Sequence, residues 1–234
     1  MEVIRKNWFT EKRPKSFLPA LLMMALIYLM STIYFQNTFG LQSQLAASGR
    51  QVFLQHEWWR LWTALFIHGD LVHLFSNSLL FFLFAHLLMG TFSWWFFPLV
   101  SFLVGGLTNL IVLSTLPYDV NLLGVSGVIH WMGAAWLTLY FFIDRRHHWR
   151  TRFGSALFLS LMLFMPDTYK PEVSYSSHFI GFVLGIFSAL GYYALKREHF
   201  HSFEEREIII EPEPEFDDWK PVSDQQLPAV VLPE

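Results

Sequence analysis

Two polar residues in this chain carry groups suited to covalent chemistry. Ser126, in Gly124-Val125-Ser126-Gly127, sits where a loop meets an apolar run, and His178, in Ser176-Ser177-His178-Phe179-Ile180-Gly181, opens the last apolar run. A hydroxyl within reach of an imidazole is enough for acyl transfer. The imidazole takes the proton as the oxygen attacks a carbonyl, then returns it to the leaving amine. His73 and Asn77, at i and i+4, share one helical face and offer donors for the developing oxyanion. Seen singly, each has a plainer reading. A serine at a helix start is most often an N-cap. A histidine in an apolar span more often bonds a neighbouring helix, which is how His86 reads.

The elements that must position these groups are membrane spans. The chain is 53% hydrophobic and 18% aromatic with 15% charged residues, well away from a soluble domain. Six apolar stretches cover residues 17–35, 71–89, 92–116, 126–143, about 153–165 and 179–195. Basic clusters precede the first (Arg5, Lys6, Lys12, Arg13, Lys15), join the fourth and fifth (Arg145, Arg146, Arg150, Arg152) and follow the sixth (Lys196, Arg197). The positive-inside rule puts all three in the cytoplasm, which requires the short fifth stretch to cross. Spans two, four and six then run inward from outside. Ser126, His178, His73 and Asn77 converge on one outer layer, and Gly127, Gly181 and Gly185 allow the fourth and sixth helices to approach closely.

The remaining features narrow the classes. With no Cys there is no disulfide framework, thiol nucleophile or thiolate metal site. His56-Glu57-Trp58-Trp59-Arg60 lacks the second histidine of a zinc helix motif, and Asp119 has no intramembrane partner for an aspartyl pair. The net charge of -3 gives no nucleic-acid patch. Trp58, Trp59, Trp94 and Trp95 fit interfacial belts. The first apolar run reads as an uncleaved helix. The expected organisation is a basic cytoplasmic tail over residues 1–16, a six-helix membrane domain over 17–197, and an acidic disordered tail over 198–234.

Trp59-Arg60, His68, His73-x-x-x-Asn77, Gly124-x-Ser126-Gly127 and His178-x-x-Gly181-x-x-x-Gly185, in that order across residues 59–195, resemble the bacterial type of the rhomboid family of intramembrane serine proteases. The resemblance implies an all-α membrane fold, a bundle of six transmembrane helices with cytoplasmic termini. Ser126 and His178 would be a catalytic dyad. His73, Asn77 and the Ser126 amide would form the oxyanion hole, with Gly124, Gly127, His68, Gly181 and Gly185 in support; His130, at i+4 from Ser126, reads separately as a packing or supporting residue. Residues 36–70 would lie partly in the outer leaflet, and the fifth helix with residues 166–177 would gate entry. The implied reaction is hydrolysis in or beside the transmembrane segments of client proteins, in a bacterial inner membrane, with the site open to the periplasmic side and with no metal or cofactor. Two positions depart from the pattern. His130 stands where a Tyr usually stacks on the catalytic His, and Met89 where an acid is common. The alternative is a catalytically silent relative that binds client helices.

Overall fold

Long apolar runs must satisfy their backbone groups internally when lipid is the solvent, so they fold as helices. The computed structural model describes residues 2–11, 15–93, 96–164 and 174–209, and these are mostly helical. Six long helices follow one another: α1 (Phe17–Phe35), α2 (Leu71–Thr91), α3 (Phe96–Leu113), α4 (Ser126–Ile143), α5 (Trp149–Phe164) and α6 (Tyr175–His201). Of these, α1, α2, α4 and α6 are long and apolar enough to cross a membrane, and α3 is a shorter apolar helix.

The ends of the helices follow local chemistry. The α3 helix stops at Leu113, short of the expected residue 116, because Ser114 and Thr115 turn their hydroxyls back onto the carbonyls of Ile111 and Val112 just before Pro117. Conversely, α6 begins four residues before the expected 179, where Ser174 Oγ accepts from the Ser177 amide as an N-cap. Asp70 caps α2 in the same way, accepting from His73 N at 2.8 Å. Of the expected gating loop over residues 166–177, residues 166–173 lie outside the described residues, as do the Trp94-Trp95 pair and the acidic run from residue 210.

The central helix is α4, buried along most of its length, with Trp131, Ile129 and Leu139 at 1% exposure or less. It packs parallel to α6. A Cβ built on Gly181 would fall inside contact distance of the Gly127 carbonyl oxygen, and one on Gly185 would strike the Trp131 carbonyl. Trp131 Nε1 donates to Ser188 Oγ at 3.1 Å. These pairs keep one register, so the N-terminal ends of the two helices lie at the same level.

The loop after α1 folds over that end. Strand β2 (Ala47–Ser48) pairs antiparallel with β3 (Asn121–Leu122), tying the first loop to the segment that leads into Ser126. Arg60, 4% exposed, donates from Nη1 to the Ser43 and Ala46 carbonyls, both at 2.9 Å, and its Nε bonds Glu57. The Trp59-Arg60 motif therefore sets the loop's shape through the arginine, while Trp59 stays exposed.

At the opposite end, β1 (Glu2–Lys6) pairs antiparallel with β4 (Glu205–Ile208), reinforced by the exposed ion pairs Arg5–Glu207 and Lys6–Glu205. Trp8 is buried against His199, Phe200 and Phe203. Residues 2–11 and 198–209 are thus part of the fold, where a basic tail and the start of an acidic tail were expected. The burial of one large aromatic and strand pairing between distant segments account for the difference.

Asp144, just past α4, is 3% exposed. It accepts from Asn7 Nδ2 at 2.7 Å and from both Nε and Nη2 of Arg146 at 2.8 Å. Burial by itself would raise this carboxyl, but the Arg146 hydrogen bonds and charge, with Asn7, hold it below the ordinary value. A depressed native pKa gives stability that is present above the unfolded value of about 4 and is lost as the pH falls through the native one. Thermal unfolding in detergent is expected to show an acid limb below about pH 4 that shrinks in Asp144→Asn.

Candidate active site

Ser126 is the first residue of α4, half-buried, so the unpaired amides of a helix start lie beside its hydroxyl. The chain reaches it through Gly124, whose φ of +109° is a conformation L side chains rarely adopt. The Gly124 amide donates to the Ala64 carbonyl at 2.8 Å, and its would-be Cβ lies 3.0 Å from His73 Cε1. Glycine here lets the His73 ring close on the backbone two residues before the serine.

His178 lies in the first turn of α6, and its ring stacks on His130 of α4 with centroids 3.9 Å apart and planes 13° from parallel. His130 Nδ1 donates to the Ser126 carbonyl at 2.8 Å, which fixes the proton on Nδ1 and leaves Nε2 as the acceptor. The histidine at this unusual position therefore does what the resemblance ascribes to a tyrosine: it lays a flat ring against His178. Among the described residues no hydrogen bond joins the Ser126 hydroxyl to His178; His130 lies between them, its ring on His178 and its Nδ1 on the Ser126 backbone carbonyl.

A cavity of about 580 Å³ opens beside Ser126, lined also by His73, Gly124, Gly127, Asp70 and Thr108. Asn77, one turn below His73, is half-buried, and its Nδ2 has no hydrogen-bond partner among the described residues. A buried donor without an acceptor costs roughly 1–3 kcal/mol and stands ready for an incoming one. His68 is fully buried. It bonds Ser31 Oγ of α1 through Nδ1 at 3.1 Å and meets His73 edge-on at 5.0 Å, so it ties the first loop to two helices. Burial, helped by the neighbouring His73, pushes the His68 pKa down to about 3 and keeps the ring neutral. His86 binds Ser16 across helices at the far end, in keeping with its structural reading.

Three contributors escaped the sequence reading. Thr108 of α3 is 2% exposed, its hydroxyl is unpaired among the described residues, and it lines the cavity. Its neighbour Asn109 donates to the Leu61 carbonyl at 2.7 Å and joins α3 to the first loop. A polar pair inside an apolar span was the available signal. Asp70 was signalled by its position as the acidic residue just ahead of a span.

The contribution of the stacked ring is open to measurement. An aromatic pair contributes about 1 kcal/mol beyond burial. His130→Phe, which keeps a flat ring, is expected to hold the unfolding midpoint near the parent value. His130→Ala is expected to lose about 1 kcal/mol of stability, read as a lower unfolding midpoint in detergent.

No curated protein matches the chain at a significant level. A family model, the Rhomboid domain, matches residues 55–195, more than half of the 234 residues. That span includes His68, His73, Asn77, Ser126, His130 and His178, and with four membrane-length apolar helices among the described residues it means that the chain belongs to the rhomboid family.

Proposed function

We propose that this integral membrane protein is a serine endopeptidase that hydrolyses peptide bonds in or next to the transmembrane segments of client proteins. The observation that carries the reading is the close parallel packing of α4 on α6 at Gly127 and Gly181, which sets Ser126, beside a cavity that His73 also lines, next to the turn of α6 that carries His178.

In this mechanism the Ser126 hydroxyl transfers its proton to His178 as the oxygen adds to the scissile carbonyl. The oxyanion is met by the Ser126 amide, by His73 and by the free Nδ2 of Asn77. The tetrahedral intermediate collapses with the proton passing to the departing amine. Water then repeats the sequence on the acyl-enzyme and releases the new carboxylate. The missing Ser126–His178 hydrogen bond is made when substrate is bound, since such bonds are commonly long in free enzymes and tighten in the complex. No step calls for a metal or cofactor.

The topology that accompanies the reading has six crossings and both termini in the cytoplasm of a bacterial inner membrane, with the cleft facing the periplasm. The basic loops support it, as does the length of α6: from Tyr175 to Lys196 it rises about 30 Å, the depth of a hydrocarbon core. The absent dyad hydrogen bond also favours a second reading, a silent relative that holds client helices without cutting them.

One experiment separates the two. Purified protein reconstituted in liposomes is incubated with a single-span reporter, and the products are sized by mass spectrometry. Two fragments that sum to the reporter plus one water support the protease. Stable co-purification of intact reporter with no fragments identifies the silent relative.

A further inference from the structure

A second cavity, of about 690 Å³, lies at the end of the bundle remote from Ser126, between the start of α3 and the last turns of α6. Its walls include Trp8, Phe92, Tyr192 and Gly191, and Lys196 and His199 stand on its rim. The walls are apolar and aromatic, and Phe187 and Leu195 beside them are 67% and 85% exposed, so the groove opens sideways onto the surface that faces lipid. Gly191 deepens it: a Cβ there would meet nothing within 4 Å, so the floor is unfilled space and not a helix contact.

The polar end of the groove has one sign. Lys196 is exposed, has no carboxylate partner among the described residues, and is followed by Arg197. Glu198, the nearest acid in sequence, does not line the groove. Lys196 sits about 30 Å along α6 from its N-terminus, the depth at which phosphates lie if the other end of the helix is at the opposite interface. An apolar slot ending in an unpaired ammonium at headgroup depth has the chemistry of an acidic phospholipid site. A chain would cover the aromatic wall, and a phosphate would meet the lysine.

We propose that this groove is a binding site for an anionic phospholipid, seated with one acyl chain over Gly191 and its phosphate on Lys196. The lipid spans the contact between α3 and α6 and touches Trp8, so its binding braces α6 at the end opposite His178. The site is independent of the proteolytic reading and can be tested without any client.

The protein in neutral detergent is titrated with phosphatidylglycerol, with phosphatidylcholine of identical chains, and with inorganic phosphate. The unfolding midpoint is followed throughout, and bound lipid is counted by native mass spectrometry. Phosphatidylglycerol is expected to raise the midpoint at lower concentration than phosphatidylcholine, and inorganic phosphate is expected to leave it unchanged. In Lys196→Gln the half-saturating phosphatidylglycerol concentration should rise about fivefold, removing the preference, because one interfacial cation contributes about 1 kcal/mol. Gly191→Leu, which fills the floor, should weaken both lipids, and the Lys196→Gln arm decides the matter if that variant does not fold. Equal responses to the two lipids in the parent protein, an undiminished preference in Lys196→Gln, or a phosphate response matching that of the lipid would each overturn the proposal.

Discussion

Ser126→Ala is expected to lower reporter cleavage by about 10³-fold or more, at least ~4 kcal/mol of transition-state stabilisation, while expression and the unfolding midpoint stay near the parent values. The side chain is half-buried, and its hydroxyl makes no hydrogen bond among the described residues that the fold would miss. Truncation removes the attacking oxygen and little packing. His178→Ala should cost about as much, and the double variant no more than either alone, because a nucleophile and its base act as one unit. His178→Ala also unstacks His130, so a modest fall in midpoint is expected there and not in Ser126→Ala. Cleavage retained by Ser126→Ala would move the nucleophile elsewhere in the cavity.

The second large effect concerns Gly181, which contacts no reacting group. Any Cβ at this position falls on the Gly127 carbonyl, and backbone cannot rotate aside as a flexible side chain can. Gly181→Val must therefore push α6 away from α4. Overpacking of this kind costs about 3 kcal/mol, and a displacement of about 1 Å at the dyad costs about a hundredfold in rate. Both the unfolding midpoint in detergent and kcat should drop. Gly154→Ala in α5, where an added methyl meets open space, should leave both unchanged. An unaltered midpoint in Gly181→Val would mean that the helices do not approach as closely as described here.

The α4 boundaries, Ser126 and Ile143, are those read from the apolar run, because a loop-to-apolar transition at a membrane surface leaves little choice of where helix begins. The first span is equally clear, at Phe17–Phe35. Ends set by side-chain capping were less legible: Ser174 and Ser114 look like ordinary loop serines until their hydroxyls are seen bonded to the helix. The expected layer of Ser126, His178, His73 and Asn77 rested on spans that run inward from one leaflet, and of these the structure sets the His73 ring against Gly124, two residues before Ser126. The stack of His130 on His178 was not expected, since His130 read as a departure from a position that usually holds a stacking tyrosine. The link of His130 to the Ser126 carbonyl and the burial of Thr108 had no signature of their own.

The sequence by itself determined that the chain is a membrane protein of the rhomboid type. Hydropathy, basic clusters and spaced motifs are local properties written along the chain, and lipid tolerates few ways of folding them. Only the tertiary structure decided that residues near both ends clasp each other around Trp8, that His178 rests on His130 and not on Ser126, and that a groove beside Lys196 is left unfilled. Those outcomes depend on which distant surfaces meet and at what rotation about each helix axis, and side-chain packing sets that rotation after the spans are already in place.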